Sequence, residues 1–369
     1  MKVLLQGRPD LFRRVGGDSD LIQNLYTHLS KNKIYCQINA TGKMNFSKFD
    51  IIHFFGIMRI QDLYSHFLRA KKQHKKIIVT PIYEDLSLLD RYGRIGWERF
   101  FINILPNDLK ELAKGLLRGV KDNRQLKSAF LQFLVPYSKQ QKTLLLSADH
   151  IIATSCEEMN SLIKNFALPK SKVSFVPIGI DPKISKGNKD KFVTKYKLKN
   201  FILCVGRIEP KKNQLGLIDA LKNTKIPTVF IGSESPYHRS YVKMFLKKIG
   251  ENPHIKYLGE LDRSILLSAY SAAKVHVLVS WFEILGIANM EAALNNCNIV
   301  STNKGYAREY FGDLAWYCSP QDGNSIKKAV INAYNSPFKT ELKEKILKEY
   351  TWDKNVPKIQ EVYKNILQK

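Results

Sequence analysis

The chain has 369 residues, more than one compact domain usually holds, and 44% of them are hydrophobic and 11% aromatic, which excludes a disordered chain and points to two domains. Lys and Arg total 59 against 33 Asp and Glu, a formal net charge of +26; a field of that sign favours phosphorylated substrates, anionic lipid headgroups or nucleic acid, unless it is only the habit of a Lys-rich composition. The five cysteines (Cys36, Cys156, Cys204, Cys297, Cys318) are scattered with no C-x-x-C spacing, which argues against a disulfide framework or a zinc site and suits a reducing compartment.

Val3-Leu4-Leu5 is too short for the apolar core of a signal peptide, and no apolar run reaches the roughly 20 residues of a membrane-spanning helix. The expected location is therefore cytoplasmic, with attachment to the cytoplasmic membrane face as a peripheral protein at most.

In chain order, short apolar β-branched runs alternate with longer helical patterns. The predicted strands are 2–5, 51–55, 76–79, 151–153, 173–176, 201–205, 228–231, 275–279 and 298–301. Runs apolar on both faces and separated by helices are the mark of parallel α/β sheets. Between Arg91 and Thr143 lies a helical region where Arg94, Trp97, Arg99, Phe100, Phe101, Lys114, Arg118 and Lys121 interleave basic with aromatic residues. Such a pattern suits either an anionic membrane surface or a helical hairpin with a solvated basic face. The polar stretch Asp181 to Asn200 breaks the rhythm, and its start reads as the linker between two similar halves. The last residues, from Trp352 onward, form one amphipathic helical pattern.

The chemistry concentrates in the second half. Ser280-Trp281-Phe282-Glu283-Ile284-Leu285-Gly286-Ile287-Ala288-Asn289-Met290-Glu291 follows a buried strand and opens a helix. The unpaired amides at such a helix start suit a diphosphate, and the two carboxylates suit hydroxyl groups above it. An isolated Glu pair would read as a cap and a solvated side chain. Here Gly206-Arg207 ends the first strand of the second half, and Lys212 stands five residues beyond Arg207. A bidentate guanidinium and a point-charge ammonium can share one phosphate group. In the first half, Gly16-Gly17 precedes a helical pattern and lets the backbone approach a ligand closely.

Together these residues resemble the retaining glycosyltransferases of family 4, or group 1. Glu283 and Glu291 match that family's E-x(7)-E, and Gly206, Arg207 and Lys212 its G-R-x(4)-K. Looser matches at Gly16-Gly17, Asp50 to His53, Ala148 to Ser155, Val176 to Asp181 and Tyr257 to Glu260 carry the resemblance along nearly the whole chain. The resemblance implies an α/β GT-B architecture: two Rossmann-like parallel-sheet domains facing each other across a cleft, with the C-terminal helix returning to the N-terminal domain. On that basis residues 1–181 plus 353–369 form the acceptor-side domain and 182–352 the donor domain.

The resemblance further implies transfer of a hexose-type sugar from a nucleoside-diphosphate sugar to a glycan or lipid-linked acceptor, in cell-surface polysaccharide or lipopolysaccharide synthesis. Arg207, Lys212 and Glu283 take the catalytic roles, the cations on the leaving diphosphate and Glu283 on hydroxyls of the transferred sugar. Glu291 holds the ribose, Gly16, Gly17, Gly206, Ile284, Leu285 and Gly286 surround the donor phosphates, and Glu260 and Leu261 approach the nucleobase. Because Arg207 and Lys212 carry the leaving-group charge, no cofactor or metal is expected, and the sequence holds no D-x-D of the metal-dependent kind.

Two departures stand out. Ile178 replaces the Asn usual in the hinge motif, and Pro81-Ile82-Tyr83-Glu84 stands where many members carry a His near the reacting sugar. Tyr83, Glu84 or His53 is then expected on the acceptor side. The basic run Arg69 to Lys76 is expected to meet an anionic membrane. The alternatives are a non-catalytic or epimerase-like sugar-nucleotide binder of the same fold, and a nucleic-acid-binding α/β protein, for which charge is the only argument; nucleic acid is not expected as a partner.

Overall fold

The computed structural model describes residues 1–13, 16–40, 44–95, 105–106, 108–114 and 134–368. Two compact units emerge, one of Met1–Tyr83, Ile104–Gly179 and Trp352–Lys369, the other of Glu84–Asn103 and Ile180–Thr351. Trp97, Arg99, Phe100, Phe101, Arg118 and Lys121 of the basic-aromatic pattern lie outside the described residues.

The first unit is built on β1 (Lys2–Gln6), β2 (Tyr35–Asn39), β3 (Ile51–Phe55), β4 (Lys76–Thr80), β5 (His150–Ala153) and β6 (Val173–Phe175). All are parallel, in the order β2-β1-β3-β4-β5-β6. Leu4, Ile52, Phe54, Val79 and Ile151 sit in its core. Helix α1 (Gly17–Lys31) buries Leu21, Ile22, Leu25 and Leu29 at helical spacing, and Asp18 and Asp20 in its first turn oppose the helix dipole. Helix α2 (Tyr64–Lys72) precedes β4. The helix α3 (Trp352–Gln368) closes the chain in this unit, where the Tyr363 hydroxyl lies 2.7 Å from His53 Nδ1 on β3.

The basic run Arg69 to Lys76 is partly spent inside the fold. Arg69 bonds the Met44 carbonyl and covers the Phe46 ring, Lys75 donates to the Ser47 and Phe49 carbonyls, and Lys76 faces Asp149 at 3.8 Å. Lys71, Lys72 and His74 are exposed.

The second unit holds β7 (Ile202–Val205), β8 (Thr228–Ile231), β9 (Ile255–Tyr257), β10 (Val275–Leu278), β11 (Asn298–Thr302) and β12 (Trp316–Cys318). They run parallel in the order β12-β11-β10-β7-β8-β9 over a core including Ile202, Phe230, Val277 and Val300. Helix α4 (Lys189–Tyr196), eight residues long, lies within the stretch read as breaking the α/β rhythm. Its single buried side chain, Phe192, stacks on Phe201 at 5.4 Å, so one aromatic anchors a helix whose composition looks like a linker.

The segment from Glu84 belongs to this second unit and not to the first, a correction to the expected boundary. Lys211 Nζ pairs with Glu84 at 2.5 and 2.7 Å, and Tyr92 stacks on Trp281 with centroids 6.1 Å apart. Cysteines 36, 204, 297 and 318 are buried, Cys156 is exposed, and all five are free thiols.

Candidate active site

In an open α/β sheet the ligand crevice opens at the carboxyl ends of the two strands where the winding reverses. For the second sheet those strands are β7 and β10, neighbours that the chain leaves in opposite directions. The turn after β7 carries Gly206 and Arg207, and the turn after β10 carries Ser280 to Gly286. The tertiary structure thus brings two motifs far apart in sequence to one crevice.

Lys212 ends the short 3-10 turn Pro210–Lys212, which Asn213 ties down by donating to the Val279 carbonyl at 3.2 Å and the Pro320 carbonyl at 2.8 Å. From there Lys212 Nζ donates to Glu283 Oε2 at 3.0 Å, and Ser280 Oγ donates to the same oxygen at 2.8 Å. Glu283 is 9% exposed. Burial alone would raise its pKa, but Lys212, Lys211 and the Ser280 hydroxyl hold it below the ordinary carboxylate value. Glu283 is also gripped by its backbone, whose N–H donates to the Lys304 carbonyl at 3.1 Å and whose carbonyl accepts from Tyr306 at 2.9 Å.

That grip requires Gly305. Its φ is +98°, and a Cβ there would stand 2.1 Å from the Glu283 carbonyl oxygen. Gly305→Ala is expected to cost about 1–3 kcal/mol, read by denaturant unfolding, and to displace Glu283; unchanged stability would mean that the turn adapts freely.

Arg207 Nη1 reaches Glu209 at 3.4 Å with its side chain 29% exposed. For Lys211, burial would lower the pKa, but Glu84 and Glu283 outweigh it and raise the value. The backbone N–H groups of Ile284, Leu285 and Gly286 donate to no partner among the described residues. They lead into helix α5 (Ile287–Leu294), whose N-cap Gly286 adopts φ +72°, a left-handed conformation suited to glycine. Three cations, one open carboxylate oxygen and a row of free amides make this crevice suited to a diphosphate with a hydroxylated group beside it.

Glu291 lies further along α5, 8% exposed, held by a bidentate Arg263 and by the Tyr270 hydroxyl. Glu260 is exposed and Leu261 half-buried on the turn between β9 and helix α6 (Arg263–Ala272). Gly16 and Gly17 stand in the first unit at the start of α1, where the Gly16 N–H donates to Ser19 Oγ at 3.3 Å.

The acceptor-side expectations need correction. His53 is fully buried, with Nδ1 2.7 Å from the Tyr363 hydroxyl and Nε2 2.8 Å from Thr80 Oγ1, and burial lowers its pKa to about 3. It is a neutral strut and is not open to an acceptor. Glu84 is committed to Lys211 in the second unit. Tyr83 accepts from Asn165 at 3.2 Å, meets Phe166 edge-on, and donates its backbone N–H to the buried Glu158.

Several participants escaped the sequence reading. Ser280, Lys211, Arg263 and Tyr270 matter through partners distant in sequence. His276 on β10 accepts from the Val205 N–H at 3.3 Å through Nε2, which leaves Nδ1 protonated toward Asn289 Oδ1 at 2.7 Å. Burial lowers the pKa of His276 to about 4. In the first sheet the winding reverses at β1 and β3, and the turns beyond them carry an ion network. There Arg8 meets Asp10 at 2.7 Å and Asp18 at 2.5 Å, and Arg59 meets Asp10 at 2.9 Å and Asp62 at 2.5 Å. Among the described residues no helix is long and apolar enough to cross a membrane, and no group of three or more His, Cys, Asp or Glu side chains is placed to hold a metal.

Residues 185–351 match the family model for glycosyl transferases group 1. The match spans less than half of the chain and is a likeness of this segment to that family. The segment contains Arg207, Lys212, Glu283 and Glu291, so the resemblance carried by those residues is matched over the unit that holds the crevice. The chain is 23% identical over 217 residues to the O-antigen chain mannosyltransferase RfbU of Salmonella typhimurium, covering 58% of this chain and 57% of that protein; it thus spans little more than half of that relative's length.

Among solved structures, sucrose-phosphate synthase from Thermosynechococcus elongatus matches with a TM-score of 0.74 at 14% identity, over 100% of this chain and 99% of that one. Anabaena Alr3699/HepE in complex with UDP-glucose matches with a TM-score of 0.70 at 14% identity, over 99% of this chain and 100% of that one. At such identities the likeness is one of fold. The two six-stranded parallel sheets are those of two Rossmann-like domains, as in the GT-B fold.

Proposed function

We propose that the chain is a glycosyltransferase of cell-surface polysaccharide or lipopolysaccharide synthesis, moving a hexose-type sugar from a nucleoside-diphosphate sugar to a glycan or lipid-linked acceptor with retention of configuration. The observation that carries this reading is the Lys212–Glu283 pair, set beside Arg207 at the reversal point of the second sheet. It is supported by the group 1 match and by the O-antigen activity of the Salmonella relative.

As the bond between the anomeric carbon and the diphosphate breaks, negative charge grows on the leaving oxygen. Arg207, Lys212 and the free amides of Ile284 to Gly286 meet that charge without reorganising, which is where electrostatic catalysis is strongest. Glu283 Oε2 is occupied by Lys212 and Ser280, which leaves Oε1 to accept from a sugar hydroxyl. Two side-chain cations do the work a divalent metal would do, so the reading is metal-independent. Glu291 takes the ribose, and Glu260 and Leu261 flank the base. Glu283 and Glu291 are each held by a cation, which favours attack on the same face with the leaving phosphate taking the acceptor proton over attack by either carboxylate. The exposed Lys71, Lys72 and His74 would face anionic lipid at the cytoplasmic membrane surface.

The test is thermal stabilisation and slow hydrolysis with UDP-, GDP-, ADP- and dTDP-linked sugars, with and without EDTA. One donor is expected to stabilise the protein by about 2–3 kcal/mol at 100 times its Kd, and EDTA to leave this unchanged. Arg207→Ala is expected to slow turnover about 100-fold, and the released sugar to keep the donor's anomeric configuration. Failure of every nucleotide sugar to bind would overturn the reading, and loss of activity with EDTA would overturn its metal-independent part.

A further inference from the structure

Glu291 sits on the short helix α5 with its side chain 10% exposed, where a carboxylate needs compensating partners. Arg263 Nη2 donates to Oε1 at 2.5 Å, and Arg263 Nη1 and the Tyr270 hydroxyl donate to Oε2 at 3.0 and 3.1 Å. A carboxylate has about four acceptor positions, so these three bonds leave one, on Oε1. Tyr270 is fully buried on α6, with its hydroxyl held protonated by burial and by Glu291. Arg263 is the first residue of that helix, directly after the turn bearing Glu260 and Leu261, and its side chain is 50% exposed. A half-exposed ion pair contributes little to stability. What the fork does contribute is orientation, because two parallel bonds fix the plane of the carboxylate.

We propose that Arg263 is a positioning residue for the donor's ribose: with Tyr270 it aims Glu291 so that a single acceptor position faces the nucleotide, and the site takes one ribose hydroxyl. The inference rests on the glycosyltransferase reading and deepens it. It makes the site indifferent to which of the two hydroxyls is offered, so a 2′-deoxyribose nucleotide is accepted where one lacking both hydroxyls is not.

Calorimetric binding of UDP, GDP and ADP first selects the preferred base. The 2′-deoxy and 2′,3′-dideoxy forms of that diphosphate then read the site. The wild type is expected to bind the ribo and 2′-deoxy forms within about threefold, and the dideoxy form about 10- to 100-fold more weakly. In Arg263→Ala the penalty for the dideoxy form is expected to shrink to about threefold or less, matching Glu291→Ala. Arg263→Lys, which keeps the charge but not the fork, should recover only part of it. Both Arg263 variants are checked for wild-type thermal unfolding, so that a folding defect is seen as such.

Full discrimination in Arg263→Ala would overturn the positioning role. Discrimination against the 2′-deoxy form as strong as against the dideoxy form would overturn the single-hydroxyl count. A wild type that binds all three forms alike would show instead that Glu291 does not hold the ribose, and one that binds no diphosphate would overturn the transferase reading and this inference with it.

Discussion

Lys212→Ala is expected to lower turnover about 1000-fold and to cost the second unit about 3 kcal/mol. Both effects have one origin. Lys212 and Glu283 have side-chain exposures of 21% and 11%, so little solvent screens them from each other. Removing the ammonium strands a nearly buried carboxylate with only Ser280 and the more distant Lys211 to oppose its charge. It also removes one of two cations placed for the leaving diphosphate. A double variant separates the two roles. Lys212→Met with Glu283→Gln replaces a charged pair by a neutral one, so stability should return to within about 1 kcal/mol of wild type while turnover stays lost. Activity in the double variant would show that the pair is structural and that the charge is supplied elsewhere.

Acidification from pH 7 to pH 5 is expected to cost each unit about 2 kcal/mol through one fully buried neutral histidine, His53 in the first and His276 in the second, with His66, whose pKa burial also lowers, adding to the loss in the first. His53 and His276 have folded pKa values of about 3 and about 4, both below the unfolded value of 6.5. Below pH 6.5 the unfolded chain therefore binds protons that the folded chain refuses. The stability is fully present above 6.5 and falls by about 1.4 kcal/mol per pH unit per histidine until the folded values are reached. Glu283 adds to this at lower pH: its pKa is depressed, so its stabilisation is present above 4.5 and fades as pH falls through the lower folded value. Denaturant unfolding of His53→Gln and His276→Gln at both pH values checks the argument. Each variant should lose about 2 kcal/mol less between pH 7 and 5 than the wild type in its own unit; equal losses would mean that other groups govern acid sensitivity.

The strands legible in the sequence were those buried on both faces. Ile51–Phe55 and Val275–Leu278 are fully buried along their length and read as apolar runs broken only by His53 and His276. Tyr35–Asn39, Ile255–Tyr257 and Trp316–Cys318 were missed because they are sheet-edge strands with partly exposed residues, where the apolar signal is diluted. Helix Lys189–Tyr196 was missed for a related reason: it buries one phenylalanine and exposes most of the rest.

What the sequence determined by itself was local in origin. Alternation of doubly apolar runs with helical patterns specified two parallel α/β units, and the spacings of Gly206-Arg207 to Lys212 and of Glu283 to Glu291 marked the turns that carry the chemistry. Such patterns survive in one dimension because strand, turn and helix are each built from neighbouring residues. Only the tertiary structure decided which charges meet. It paired Lys212 with Glu283 and Arg263 with Glu291, drew Glu84 to Lys211, and enclosed His53 between Thr80 and Tyr363. Sequence offers acidic and basic residues in abundance; partners separated by up to 310 positions are chosen by the order in which strands lie side by side, and burial then sets the protonation state of each.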